Sequence, residues 1–234
     1  METLSTKLAE NFRIVEDKIC DSCARSGRER SEITLIAVSK TVDADMVLAA
    51  LALGQHDFGE NYVKNAQSKL EEIRTRGCMD ARFHMIGHLQ RNKVKTALPV
   101  FDSLHSLDSK RLLDSLENQL DGIENKFPCF VEVNVSGEES KYGISPEKAF
   151  ELVNAADDKK HVNVVGLMTM APFLAEPEQC RPYFARLREL RESINEKMHN
   201  PALRFLSMGM TNDFEVAIEE GATHLRIGTA LFKT

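Results

Sequence analysis

A lysine follows an almost unbroken apolar run near the start of the chain. Ile33–Ser39 reads ITLIAVS, and Lys40 comes directly after it. If that run is a strand, Lys40 stands at the strand's C-terminal end. An amine held at such a position is partly withdrawn from water, which lowers its pKa from the ~10.4 of a free lysine side chain. Its lone pair is then free to attack an aldehyde and form a Schiff base. The competing reading is a solvated loop lysine.

A second set of residues lies close to the C-terminus. Ser207-Met208-Gly209-Met210-Thr211-Asn212 and Gly228-Thr229 each follow an apolar run. Small residues let backbone N–H groups approach phosphate oxygens, and the hydroxyls of Ser207 and Thr229 add donors. Alternatively, Gly209 and Gly228 only permit tight turns. Arg226 sits between Leu225 and Ile227, where an unpartnered guanidinium is costly. It either faces a ligand or forms a structural ion pair with a neighbouring strand. Asn61, in Phe58-Gly59-Glu60-Asn61-Tyr62, would hydrogen-bond a ligand's phenolic oxygen or else cap the following helix. Glu60 beside it would serve as a buried partner for Arg226 or Lys40.

Other motifs carry less. His84 and His88 suggest a metal pair, but no third ligand sits at a zinc-like spacing, so no metal is expected. Cys20 and Cys23 form a lone C-x-x-C at a helix end, better explained by a packed Cys23 and an incidental Cys20. Arg91-Asn92-Lys93-Val94-Lys95 reads as a solvated basic helix face, or a surface for an anionic partner.

The elements that must position these residues alternate. An opening helix is marked by Leu4, Leu8, Phe12, Val15, Ile19 and Cys23 at three- and four-residue steps. Strands are expected at 33–39, 56–58, 82–86, 101–107, 129–135, 162–168, 203–208 and 223–227. Helices are expected after them: one capped by Asp43 and stopped at Gly54, then 61–74, one starting near Leu89, and one carrying Leu112, Leu113, Leu116 and Leu120. The next has Ser145 as N-cap and Pro146 at its first position, and two more cover 176–197 and 212–220. A short tail, Thr229–Thr234, closes the chain. Repeated β–α units imply parallel pairing through crossovers. Eight of them predict one α/β domain over residues 1–234, a (β/α)8 TIM-type barrel with an extra N-terminal helix. An open doubly wound sheet is the alternative, but no G-x-G-x-x-G follows the first strand. In a barrel, the residues after the strands form the site.

The bulk numbers set limits. The chain has 234 residues, 42% hydrophobic and 28% charged, with net charge −6. That balance argues against nucleic-acid binding, which needs a basic footprint. No signal peptide and no membrane-length apolar run is visible. Five scattered cysteines suit a reducing cytoplasm better than a disulfide framework.

Seven stretches together resemble the PLP-binding homeostasis proteins, a YggS/PROSC-like family built on a fold like the alanine racemase N-terminal domain (PLP is pyridoxal 5′-phosphate). They are Leu35–Thr41 (LIAVSKT), Phe58–Val63 (FGENYV), Phe83–Lys93 (FHMIGHLQRNK), Ser140–Gly143 (SKYG), Gly166–Met170 (GLMTM), Leu206–Asp213 (LSMGMTND) and Arg226–Ala230 (RIGTA). The resemblance runs from the first strand to the last. It implies that Lys40 is the Schiff-base lysine and that Ser207, Gly209, Gly228 and Thr229 cradle the phosphate. It also implies that Arg226 lies near the pyridine nitrogen and Asn61 near the cofactor ring.

An arginine at that nitrogen keeps it unprotonated and weakens the cofactor as an electron sink. Alanine racemase-like enzymes also carry a second, β-rich domain that supplies a tyrosine base. Here the chain stops after the barrel, and Tyr62, Tyr142 and Tyr183 are its only tyrosines. The expected function is therefore a cytoplasmic PLP carrier in vitamin B6 homeostasis and not an enzyme, affecting amino-acid and keto-acid balance indirectly. It would be monomeric, with apo PLP enzymes as recipients. The alternatives are a minimal PLP-dependent amino-acid racemase, and a barrel for another phosphorylated ligand with Lys40 as a plain charge.

Overall fold

Each apolar run forms a strand, and strand parity decides what lies on either side of the barrel wall. The computed structural model describes residues 4–138, 141–173, 176–198 and 203–233. Strands β1 (Thr34–Val38), β2 (Asp57–Glu60), β3 (Arg82–Met85), β4 (Ser103–Leu107), β5 (Phe127–Glu132), β6 (Val162–Met168), β7 (Phe205–Ser207) and β8 (His224–Ile227) pair in chain order into a closed barrel. The closing β1–β8 pair is parallel, with Ile36 opposite Arg226 and Ala37 opposite Ile227. The first and last candidate segments thereby become neighbours.

Helices α1 (Leu4–Ser26), α2 (Ala44–Ala52), α3 (Val63–Thr75), α4 (Val94–Ala97), α5 (Lys110–Gln119), α6 (Pro146–Asp157), α7 (Arg181–Lys197), α8 (Phe214–Glu219) and α9 (Thr229–Phe232) complete the order. The periodic face of α1 buries Leu8, Val15, Ile19 and Cys23, and Cys20 is left exposed. Asp43 caps α2 by accepting from the Met46 N–H at 2.9 Å. Pro146 opens α6 as expected, but the Ser145 side chain makes no cap hydrogen bond.

Several expected boundaries move. The helix placed near Leu89 shrinks to a 3-10 turn at Arg91–Lys93 and the single turn of α4. The segment beginning at Glu176 enters through a 3-10 turn, Pro177–Cys180, before α7. Strand β2 runs on to Glu60, and α3 starts at Val63 with Tyr62 as its N-cap. The tail after β8 folds into α9, where Thr229 is the first helical residue. Ser140 and Thr234 lie outside the described residues.

The main apolar core lies between strands and helices. Leu35 and Ala37 of β1, Phe83 and Met85 of β3, Leu104 of β4, Val131 of β5, Leu206 of β7, and Leu225 and Ile227 of β8 all belong to it. Burying such side chains is the dominant favourable term in folding. The alternate residues of these strands face the lumen. Phe130 stacks there on His105, with centroids 4.2 Å apart, and His224 meets both rings edge-on.

Candidate functional site

The ends of β1, β7 and β8 meet at one mouth of the barrel. Gly228 follows β8 against β1: a Cβ there would stand 3.2 Å from both the Val38 side chain and its carbonyl oxygen. Lys40 is two residues beyond Val38. Its side chain is exposed, and no carboxylate pairs with it among the described residues. The desolvation expected of Lys40 is therefore not supplied by the protein alone. What the fold does supply is an amine without an ion pair, beside the β8 exit.

The backbone ahead of Lys40 is pinned. The Ser39 hydroxyl donates to Glu60 Oε1 at 2.7 Å, and Lys69 Nζ donates to the same oxygen at 2.6 Å. Lys69 also donates to the Ser39 carbonyl. Glu60 is fully buried, so the basic partner expected for it exists, but it is Lys69 from α3, not Arg226 or Lys40. Breaking a buried pair by removing one partner leaves an uncompensated charge, so this contact is a firm anchor. Sequence spacing gave no sign of Lys69, because only the β2–α3 turn brings it back over the β1 end.

Arg226 is buried in the lumen. Nη1 donates to Ser207 Oγ at 2.7 Å and Nη2 to the Thr169 carbonyl at 2.8 Å. No carboxylate touches it among the described residues, which removes the structural ion-pair reading. Burial pushes its pKa down to about 10, against the pull of the Asp213 and Glu132 charges. A cation held by neutral oxygens alone is costly unless something else shares its field.

Ser207 is fully buried, and its hydroxyl contacts both Arg226 and His105 Nδ1, the latter at 2.8 Å. That side chain therefore points into the lumen rather than standing free as a phosphate donor. Gly209 has φ +92°, and a Cβ on it would meet the Ala217 side chain at 2.7 Å. Turn geometry and packing against α8 thus account for Gly209 by themselves. Its carbonyl accepts from the Arg226 N–H at 3.0 Å, which ties the β7 exit loop to β8. Thr229 is exposed at the start of α9. Asn61 does not cap α3, and its side-chain amide has no partner among the described residues. Its backbone packs on Gly87, where a Cβ would come within 2.6 Å of the Asn61 carbonyl oxygen.

The imagined metal pair does not form. His84 faces Asp57, Ser103 and His105, whereas His88 lies 3.1 Å from Asp108 and stacks on Tyr142. Among the described residues no group of three potential ligands could hold a metal ion. Two groups missed in the sequence are His105 and Glu132. His105 is held well below its ordinary pKa by burial, and the Arg226 charge lowers it further, as would a proton gained by His84 or His224. Glu132 ends β5, and burial pushes it up to about 7, with Asp108 raising and Arg226 lowering it. Their signal was available as polar residues at alternate positions of otherwise apolar strands.

Comparison with known proteins fits this geometry. Residues 21–234 match the family model described as alanine racemase, N-terminal domain. A pyridoxal phosphate homeostasis protein of Aquifex aeolicus is 42% identical over 223 residues, covering 95% of this chain and 96% of the relative. The human protein of the same name is 37% identical over 231 residues, covering 94% and 84%. The structure of PipY from Synechococcus elongatus PCC7942 with PLP bound superposes with a TM-score of 0.84 at 30% identity, covering 96% of this chain and 99% of PipY. No helix among the described residues is long and apolar enough to cross a membrane.

Proposed function

Because this chain belongs to the alanine racemase N-terminal domain family, and within it to the pyridoxal phosphate homeostasis proteins, we propose that it binds PLP at the β1–β8 mouth and serves intracellular vitamin B6 balance. Residues 1–234 act as one PLP-binding domain, monomeric and cytoplasmic. Release to apo PLP enzymes is its contribution, and it carries out no amino-acid turnover of its own. The observation that carries this reading is Arg226: a buried cation with only neutral oxygens on it, on the strand that pairs with the one leading to an exposed amine without an ion pair. A planar, anionic aldehyde with a ring nitrogen satisfies both.

PLP supplies, when bound, an electrophilic aldehyde carbon and a pyridine ring that withdraws electrons. Lys40 forms a bond from its amine nitrogen to that carbon, and the aldehyde oxygen leaves as water. The Ser39–Glu60–Lys69 cluster holds the strand end from which Lys40 reaches. Asn61 donates to the phenolic oxygen. Backbone N–H groups of the loops carrying Ser207, Gly209, Gly228 and Thr229, with the Thr229 hydroxyl, bind the phosphate. Arg226 can only donate, so it keeps the ring nitrogen unprotonated.

One observation favours the minimal racemase as a second reading. Glu132 ends β5, four strands around an eight-strand barrel from β1, so it stands across the mouth from Lys40 with a carboxyl tuned to about 7. A base there would supply the second acid–base group that racemisation needs, opposite Lys40.

Borohydride reduction followed by peptide mass analysis tests the main reading. A pyridoxyl mass is expected on the Lys40 peptide and on no peptide of Lys40→Ala. An unlabelled wild-type protein, or a label elsewhere, overturns it. The same PLP-loaded sample, incubated with amino acids in heavy water, should show no deuterium uptake at Cα. Uptake that disappears in Glu132→Gln would favour the racemase.

A further inference from the structure

The lumen holds a chain of polar side chains that PLP binding does not itself explain. It starts at Arg226, whose Nη1 lies 2.7 Å from Ser207 Oγ. It continues from Ser207 to His105 Nδ1 at 2.8 Å and from His105 Nε2 to His84 Nδ1 at 3.2 Å. Ser103 Oγ also meets that His84 nitrogen at 2.7 Å. His84 Nε2 faces Asp57 Oδ1 at 2.9 Å, and Asp57 is clasped by Arg82 at 2.8 and 2.6 Å on the opposite rim of the barrel. Residues from β2, β3, β4, β7 and β8 take part, so the chain crosses the lumen from the strand starts to the strand ends.

We infer that His84, His105 and Ser207 are positioning residues for Arg226, forming a hydrogen-bond relay of one polarity that fixes the guanidinium and sets how strongly it donates to the PLP ring nitrogen. The inference rests on the function proposed above.

The polarity follows from the two ends. A guanidinium only donates, and an ionised carboxylate only accepts. Burial works against the Asp57 charge, but the hydrogen bonds from Arg82 and His84 outweigh it and keep the carboxyl below its ordinary pKa. With Arg226 donating to Ser207, the serine hydroxyl hydrogen goes to His105 Nδ1. His105 is then the Nε2–H tautomer and donates to His84 Nδ1. His84 likewise carries its hydrogen on Nε2 and donates to Asp57. Both rings are neutral, and the one lone pair of His84 Nδ1 is shared between the His105 Nε2–H and the Ser103 hydroxyl.

The reversed chain satisfies fewer groups. If His105 Nδ1 donated to Ser207, that oxygen would accept twice, and its own hydrogen would have no acceptor among the described residues. His84 would then face Asp57 without a proton on Nε2 unless it became a cation. The groups around His105 agree with a neutral ring: His84, His224 and Arg226 face it, and the Phe130 ring covers it. A well-satisfied buried network of this kind specifies one geometry and is damaged as a unit.

Ring-nitrogen NMR on the PLP-free protein tests the relay directly. His84 and His105 should both appear as neutral Nε2–H tautomers, and Ser207→Ala should change the His105 Nδ1 shift. An Nδ1–H tautomer at His105 overturns the relay, whatever the protein binds. The second arm measures bound PLP. His105→Phe keeps the stack on Phe130 and removes both hydrogen bonds, and its PLP dissociation constant should rise about tenfold. The absorbance of its bound PLP should also shift with a changed pH profile. His105→Asn, whose side chain can again accept from Ser207, should recover most of both effects. A folded His105→Phe with unchanged affinity and spectrum refutes the inference. A wild-type protein that takes up no PLP would instead defeat the functional reading, and the NMR arm would still judge the relay.

Discussion

On β8, Leu225 and Ile227 turn outward into the apolar layer beneath the helices, whereas His224 and Arg226 turn inward to meet groups from across the lumen. Strand β4 repeats the pattern, with Leu104 outside and Ser103 and His105 inside. The outer layer is close to pure hydrocarbon and tolerates no polar atom without a partner. The lumen towards the mouth is a hydrogen-bonded set of histidines, serines and one arginine. Such a set adds little net stability, because its gains are set against the water it gave up. The two faces of one wall thus differ in purpose: the outside holds the barrel closed, and the inside holds Arg226.

The largest expected effect lies on the outside. Leu104 is fully buried in the outer layer, and Leu104→Ala should cost about 2–5 kcal/mol, read from denaturant unfolding. PLP affinity measured far below the unfolding midpoint should hardly change. A variant of near-normal stability, or one that loses PLP affinity while still folded, would break the division between the two layers.

That division also explains what could be read in advance. Eight β–α units were legible because the outward residues are apolar and recur in short runs, and α1 was legible because Leu8, Val15, Ile19 and Cys23 keep helical spacing. Lys40 and the two glycine loops stand out by their places after strands and Arg226 by lying inside one, and the closed barrel brings these segments to one mouth. The lumen was less legible. The almost unbroken apolar run of β1 gave no hint of it, whereas β3, β4 and β8 carry His84, His105, His224 and Arg226 at alternate positions. Lys69 was hidden for a different reason. Its meaning depends on Glu60 and on the Ser39 carbonyl, thirty residues away, which only the closed barrel brings together. The helix after β3 was overestimated because Leu89 and Val94 are buried by tertiary contacts without a long helix between them.

A smaller effect separates the layers by pH. Glu132 is held up to about 7 in the folded chain, mainly by burial, against roughly 4.3 for an unperturbed glutamate. Between these values the folded state binds the extra proton, so unfolding becomes easier as pH rises. The stability is fully present below about pH 4 and is lost as pH passes through about 7. Glu132→Gln should abolish that slope. It should be roughly 3–4 kcal/mol more stable than the parent at pH 8 and nearly equal to it at pH 4, measured by urea unfolding at each pH. A difference independent of pH would mean that Arg226 neutralises Glu132 and that the lumen contributes to stability after all.

The smallest effect on stability, and the sharpest test of the comparison, is Arg226→Met. Removing the guanidinium takes a charge out of a buried site but leaves Ser207 Oγ and the Thr169 carbonyl short of a donor. Relief of the buried charge and loss of two hydrogen bonds act in opposite directions, each by about 1–3 kcal/mol, so the net change should stay within about 1 kcal/mol. PLP affinity should nevertheless fall at least tenfold, because the ring nitrogen loses its donor. A methionine variant that unfolds like Leu104→Ala would make Arg226 a structural residue. One that folds normally and still binds PLP as tightly would leave the polar lumen without the role assigned to it, since the histidine relay would then orient a side chain on which the ligand does not depend.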